Sequence, residues 1–223
     1  MRRVGLLIPS PNTVMEPDFT HAFRGRATIH AARMYLRDPV TREGELQMLD
    51  EFVQPAARDI ATLRPDVVVF GCTSAGSLLG AEADATLRRR LSELVSAPVV
   101  GIIDAIGQSL RQRGARRVSV FTPYVDDLNF PIAESLRAQG FQVQRITGLG
   151  LANVIDIGAI KPAQILEEAV KATVYGSDAL VIPCTNFRAL EVREEIAVRT
   201  GMDVVTACSA AVDLVRDALD DLG

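Results

Sequence analysis

Asp66-Val-Val-Val-Phe-Gly-Cys72-Thr73 and Asp178-Ala-Leu-Val-Ile-Pro-Cys184-Thr185 decide the fold. Each stretch opens on an aspartate, runs through four apolar residues and closes on a Cys-Thr pair. A short apolar run of this kind, bounded by turn residues, reads as a strand of a parallel sheet buried on both faces, here Val67–Phe70 and Ala179–Ile182. Working outward, further strands are expected at Val4–Ile8, Thr28–Met34, Val99–Gly101, Val118–Phe121, Gln142–Ile146 and Val204–Thr206. Amphipathic stretches lie between them. Thr41–Leu63 carries Leu46, Leu49, Phe52 and Val53 at helical spacing, Ala81–Val95 carries Leu87, Leu91 and Leu94, and Pro162–Val174 carries Ile165, Leu166, Ala169 and Val170. Pro162 suits a first helical turn.

The eight strands fall into two sets of four in matching order. Val4-Gly-Leu-Leu-Ile-Pro9 is similar to Val118-Ser-Val-Phe-Thr-Pro123, and Val99-Val-Gly-Ile-Ile-Asp104-Ala recurs loosely as Val204-Val-Thr-Ala-Cys208-Ser-Ala. With the two Asp-to-Thr stretches, the offsets are 114, 112 and 105 residues. A repeat this long implies two lobes rather than a solenoid. The expected fold is therefore α/β, with two pseudo-symmetric lobes, each a four-stranded parallel sheet flanked by helices. Residues 1–108 with 207–223 form the first lobe and 109–206 the second. Ligands of parallel sheets bind at the carboxyl ends of the strands. Both Cys-Thr pairs lie at such ends, as do Pro9–Thr13 and Thr122–Tyr124, which places the active site in the cleft between the lobes.

Composition narrows the function. Of 223 residues, 48% are hydrophobic and 23% charged, enough apolar material for a sizeable core. The net charge of -4 is spread among mixed signs, so the basic stripe that nucleic-acid binding needs is missing. The opening MRRVGLLIPSPNT has an apolar run only from Val4 to Ile8, short for a signal peptide, and no stretch reaches membrane-spanning length. Cys72, Cys184 and Cys208 form no CxxC pair, and their odd number argues for reduced thiols and a cytoplasmic protein. His21 and His30 sit in no metal motif, so no metal is expected. The two lysines, Lys161 and Lys171, lie in a helical pattern rather than beside a phosphate loop, and no GxGxxG or GxxxxGK[ST] occurs. No cofactor is expected.

Cys72 stands in GCTSAGS, where Gly71 and the small residues that follow would let a ligand approach the backbone closely. A helix expected to begin between Leu78 and Glu82 would point its N-terminus at the thiol, lowering its pKa and favouring a bound carboxylate. Thr73 and Ser74 add hydroxyl donors. Cys184 stands in PCTNFRALE, where Thr185 and Asn186 add donors in a similar layout. A lone cysteine ending an apolar strand is usually a small buried residue; two at equivalent places of a repeat point to chemistry. Cys208 lacks the Cys-Thr pattern and reads as structural. Asn12 is either a helix cap or a carboxylate ligand. Tyr124 is its counterpart in the second lobe, with a hydroxyl suited to carboxylate or enolate binding. Asn153, in the loop after strand Gln142–Ile146, is placed to reach the cleft. Glu16, Asp18, Asp104 and Asp126 read as surface or capping residues.

Taken together, PSPNT (9–13), MEPDF (15–19), GCTSAGSLLG (71–80), TPYVDDLN (122–129), GLANVIDIG (150–158) and PCTNFRALE (183–191) resemble the aspartate/glutamate racemase superfamily. The branch they resemble most holds maleate cis-trans isomerases, arylmalonate decarboxylases and ectoine-utilisation proteins. The resemblance spans nearly the whole chain. It implies that Cys72 and Cys184 are paired active-site thiols, that Thr73, Ser74 and Tyr124 hold a carboxylate in a dioxyanion hole, and that Asn12 and Asn153 bind a carboxylate. Decarboxylases of the branch carry glycine in place of the first cysteine, which sets Cys72 against that activity. Maleate isomerases follow their first cysteine with apolar residues, and Thr73-Ser74 departs from that pattern. The resemblance implies a cofactor-independent isomerase of small (di)carboxylates, maleate isomerase-like, and a homo-oligomer, dimeric or higher. Alternatives are an amino-acid or hydantoin racemase, an arylmalonate-type decarboxylase, and a small-carboxylate-binding protein without activity.

Overall fold

A computed structural model describes residues 1–222. All eight expected strands are present: β1 Arg2–Pro9, β2 Ala27–Met34, β3 Val67–Phe70, β4 Val99–Gly101, β5 Arg117–Tyr124, β6 Gln142–Leu151, β7 Ala179–Ile182 and β8 Asp203–Thr206. They form two four-stranded parallel sheets, ordered β2-β1-β3-β4 and β6-β5-β7-β8. The third strand of each lobe, β3 or β7, is buried at every residue. That is why these two read as unbroken apolar runs.

The aspartates that open the two repeated stretches perform the same task in each lobe. The carboxylate of Asp66 accepts a 2.7 Å hydrogen bond from the Arg3 backbone N–H. Asp178 accepts from the backbone N–H groups of Arg116 and Arg117, at 3.0 and 2.8 Å. Each aspartate thus pins the start of a third strand to the start of its neighbour. The register that follows carries Cys72 and Cys184 to the opposite ends of their strands.

The helices are α1 Met15–Ala22, α2 Arg42–Gln47, α3 Val53–Ala61, α4 Thr73–Leu79, α5 Ala81–Val95, α6 Ile102–Gln112, α7 Asp126–Ala138, α8 Val154–Ala159, α9 Pro162–Ala172, α10 Arg193–Thr200 and α11 Ala207–Asp220. The single amphipathic stretch expected over 41–63 is α2 and α3 joined by a π-helical turn, Met48–Phe52. Its inward face differs from the expected one. Leu46 is exposed, whereas Gly44, Glu45, Met48 and Val53 are buried. The Thr41 side chain accepts from Gly44 N–H and fixes the phase of the helix at its start. That phase turns Glu45 inward.

The helix after Cys72 also departs from expectation. It starts at Thr73, immediately after the cysteine, and a break at Gly80 (φ +77°) separates it from α5. Gly71 serves packing rather than ligand approach: a Cβ there would lie 2.6 Å from Met15 Sδ and 2.9 Å from Ile8 Cγ2. α11 begins with a reciprocal capping box between Thr206 and Ser209 and packs against α6, α1 and the β3–β4 side of the first sheet. One continuous apolar core runs through both lobes. Among the described residues, no helix is long and apolar enough to cross a membrane.

Candidate active site

In each sheet the strand order, not the strand direction, reverses between the two central strands, β1 and β3 or β5 and β7. A parallel sheet opens a ligand crevice at the carboxyl ends of such a pair. β1 and β3 deliver Pro9, Asn12, Cys72, Thr73 and Ser74 to that place, and β5 and β7 deliver Tyr124, Cys184, Thr185 and Asn186. All nine line one cavity, with Leu36 and Val40 from the segment leading into α2, Glu45 from α2 itself, and Val154 and Ile157 from α8. The cavity is about 30 Å³, roughly the share of one water molecule in liquid. The described form is therefore closed over its cleft. A larger concavity of about 760 Å³ lies at Leu46, Leu79, Leu87 and Arg90. It contains neither thiol nor any other residue of the repeated motifs, so the small cavity is the candidate site.

Polar bonds across the lobes hold the cleft. Asn12 Nδ2 donates to Thr185 Oγ1 at 3.0 Å, and Thr185 Oγ1 donates to the Gly71 carbonyl at 3.0 Å. Asn186 Oδ1 accepts from Thr13 N–H at 2.8 Å, while Asn186 Nδ2 donates to the Val154 carbonyl at 2.7 Å. Two more bonds close the rim: Val40 N–H to the Ala152 carbonyl, and Val154 N–H to Asp38 Oδ1. Asn12 also acts as a cap, its Oδ1 accepting from the N–H groups of Val14 and Met15 at 3.0 Å each. Thr185 and Asn186 thus line the cleft while their polar atoms join the lobes. Asn153 is elsewhere. It is exposed, its side chain caps α8 by accepting from Asp156 N–H, and its neighbour Val154 takes the place in the lining. The reason is local, since an Asn at the residue before a helix satisfies a free N–H of the first turn.

The two thiols share an environment that keeps them protonated. Burial pushes the Cys72 thiol far up; the nearby Glu45 adds to this, and the Ala75 N–H and Ser74 hydroxyl only partly offset it. The expected thiolate stabilisation by a helix N-terminus is thus present, in the Ala75 N–H, but desolvation outweighs it. Burial also pushes Cys184 up to about 12, against hydrogen bonds from the Tyr124 hydroxyl and Asn186 N–H. Tyr124 is raised as well, by burial first and then by Cys184. The Thr73 hydroxyl is buried without a partner, a free donor facing the cavity region. Cys208 lies outside the lining, its Sγ 3.8 Å from the Thr185 carbonyl and bonded to Asp18.

Sequence reasoning missed Glu45. It is 1% exposed, accepts a short hydrogen bond from the Ser74 hydroxyl and lines the cavity with Cys72. Burial raises its carboxyl to about 7. The only sequence signal is the phase of α2, and the leucines at 46 and 49 point to the wrong face. None of the residues lining the cavity is Arg, Lys or His, and among the described residues no cluster of His, Cys, Asp and Glu could hold a metal ion. Charge developing in this cleft meets neutral donors: hydroxyls, backbone N–H groups and thiols.

The sequence matches the family described as arylmalonate decarboxylase (Amdase) over residues 4–222. It is 25% identical over 232 residues to a maleate isomerase of Geobacillus stearothermophilus, covering 98% of this chain and 92% of that one. It is 28% identical over 180 residues to an arylmalonate decarboxylase of Bordetella bronchiseptica, covering 79% and 75%. A maleate cis-trans isomerase of Nocardia farcinica, solved as a cysteine-to-serine variant with a covalently bound succinylcysteine intermediate, is similar in structure. The TM-score is 0.91 at 25% identity, covering 98% of this chain and 93% of that one.

Proposed function

The chain belongs to the arylmalonate decarboxylase family, and from that membership we propose that it is a cofactor-independent isomerase of a small (di)carboxylate, maleate isomerase-like, working through Cys72 and Cys184. The observation that carries the reading is the meeting of two thiols, one from each lobe, in a single buried cavity. The isomerase branch is favoured over the decarboxylases because Cys72 stands where the resemblance places glycine in decarboxylases. Of the two relatives, the maleate isomerase also spans more of both chains.

In this reading Thr73, Ser74 and Tyr124 hold one carboxylate with neutral donors, so that the adjacent carbon can carry charge as an enediolate. Cys72 sulfur, as thiolate, adds to one alkene carbon. The alkene π pair moves onto the neighbouring carbon, and Cys184 protonates it. Rotation about the new single bond, return of that proton to Cys184 and expulsion of Cys72 give the trans alkene. A Cys184 thiol held up to about 12 is protonated at neutral pH, the state an acid needs. Asn12, Thr185 and Asn186 set the cleft from its other side. Asn153 fits this scheme less well, because it is exposed. Thr73-Ser74 and the decarboxylase relative favour a second reading, racemase or arylmalonate-type decarboxylase chemistry on another small carboxylate.

Residues 1–108 with 207–223, of which Gly223 lies outside the described residues, are assigned to the first lobe and 109–206 to the second, supported by the packing of α11 on α1, α6 and β3. Three free, buried cysteines support a reducing, cytoplasmic setting. A homo-oligomer, dimeric or higher, rests on the family resemblance. The test is a proton-exchange screen in deuterated water, with maleate, aspartate, glutamate, hydantoins and arylmalonates followed by NMR. Maleate turning to fumarate, and loss of that turnover in both Cys72→Ser and Cys184→Ser, is the expected result. Turnover intact in either variant refutes the two-thiol scheme.

A further inference from the structure

A thiolate at Cys72 raises a question of proton bookkeeping: its proton must go to some base. Arginine, lysine and histidine are missing from the cavity lining, and Cys184 and Tyr124 are both protonated acids at neutral pH. Glu45 is the one carboxylate in the lining. A hydrogen-bonded path leads to it. Cys72 Sγ lies 3.7 Å from Ser74 Oγ, within bonding reach for sulfur, and Ser74 Oγ donates to Glu45 Oε1. The other carboxylate oxygen, Oε2, is buried with no partner. A carboxylate that served only to anchor Ser74 would be replaced at no loss by a neutral acceptor, and its burial without a cation is costly.

We propose that Glu45 stores the Cys72 proton, acting through Ser74. The Cys72 S–H bond breaks as its proton passes to Ser74 Oγ, the Ser74 O–H proton passes to Glu45 Oε1, and the single negative charge moves from carboxylate to sulfur. No atom is gained or lost, and the reverse transfer restores the thiol when product leaves. Glu45 is thus a positioning residue that works through a neighbour, while Cys72 is the group that meets substrate. The inference rests on the reading of Cys72 as nucleophile or base.

The groups facing Glu45 are Cys72 on the β3–α4 junction, Tyr124 on β5 and Cys184 after β7; each is neutral when protonated and anionic when not, so none supplies a cation to hold Glu45 ionised. Glu45 and Cys72 therefore titrate as a pair. Its first proton leaves near pH 7, the range to which burial raises Glu45. That pair, sharing one negative charge, is the active form.

Iodoacetamide alkylation of Cys72, followed by peptide-resolved mass spectrometry from pH 5 to 9 on the whole protein, tests this without any substrate, so its outcome is separate from that of the maleate assay. The wild-type rate is expected to climb through pH about 7 and level off. In Glu45→Gln, the rate at neutral pH falls about tenfold or more and keeps rising into the alkaline range, the size of effect that a lost general base has. Ser74→Ala behaves alike, and Ser74→Thr, which keeps the hydroxyl, restores the rate. An unchanged rate in Glu45→Gln overturns the proposal. So does a faster one, which is what removing a charge that opposes Cys72 ionisation would do by itself. Thermal melting of each variant confirms folding; should Glu45→Gln fail to fold, the Ser74→Ala and Ser74→Thr pair decides.

Discussion

Replacing Thr185 with valine removes one hydroxyl and keeps the branched shape of the side chain. That hydroxyl accepts from Asn12 Nδ2 and donates to the Gly71 carbonyl, both at 3.0 Å, so a single atom links the two lobes twice. Asn12 and Thr185 are both buried, at 1% and 4% exposure. The lost partners leave one buried donor and one buried acceptor unpaired. Each such group costs ~1–3 kcal/mol, so the variant should lose ~3 kcal/mol of stability. For a chain of this size that corresponds to a fall in Tm of about 6–12 °C. Urea unfolding and calorimetry of Thr185→Val against wild type measure it. A loss below about 0.5 kcal/mol would mean that the cross-lobe bonds do not hold the cleft.

Other expectations follow from the same structure. Glu45 has a folded-state pKa of about 7 against an ordinary 4.5; it stays protonated in the fold while the unfolded chain ionises, so stability falls as pH rises from 4.5 to 7. Glu45→Gln should remove a loss of up to about 3 kcal/mol over that window, measured by urea unfolding at pH 4.5 and 8; parallel pH dependence in both proteins would count against the buried acid. Asp178 behaves oppositely. Its hydrogen bonds to the Arg117 side chain and to backbone N–H groups hold its carboxyl below the usual range, so its contribution is present above its ordinary pKa and fades as pH falls through the lowered one. Asp178→Asn should therefore flatten acid unfolding, and an unchanged acid transition speaks against that role. Gly71→Ala drives a Cβ to 2.6 Å from Met15 Sδ and should destabilise by roughly 1–3 kcal/mol, read by thermal melting.

How much of this was legible in the sequence depends on which residues carried the signal. β3, β4 and β7 were readable to the residue, because unbroken valine, leucine and isoleucine runs end at glycine, proline or cysteine. β6 runs on to Leu151, past where it was expected to end, since Gly148 pairs with Thr122 and the strand continues through a register shift to pair Leu151 with Tyr124. α4 was placed several residues late. Its sequence, TSAGSLL, is small and hydroxyl-rich, a weak helix former that tertiary packing at the strand end overrides. The meeting of the two thiols, Thr73, Ser74 and Tyr124 in one cavity lining was legible because these residues follow or end strands at matching places of the two lobes. Asn12 was ambiguous, and the structure gives it both a capping bond and a cleft-facing one. Glu45 was not legible: which side of α2 faces inward is set by its Thr41 cap and the following π turn, and neither shows in apolar periodicity.

The claim at the centre is that Cys72 and Cys184 act on one substrate from the two lobes. Incubating Cys184→Ser with maleate, digesting it and sequencing the peptides by mass spectrometry tests this most directly. A succinyl adduct on Cys72 that builds up in the variant, and is fleeting in the wild type, is the predicted result. Unmodified Cys72 in a variant that still makes fumarate at the wild-type rate would contradict it.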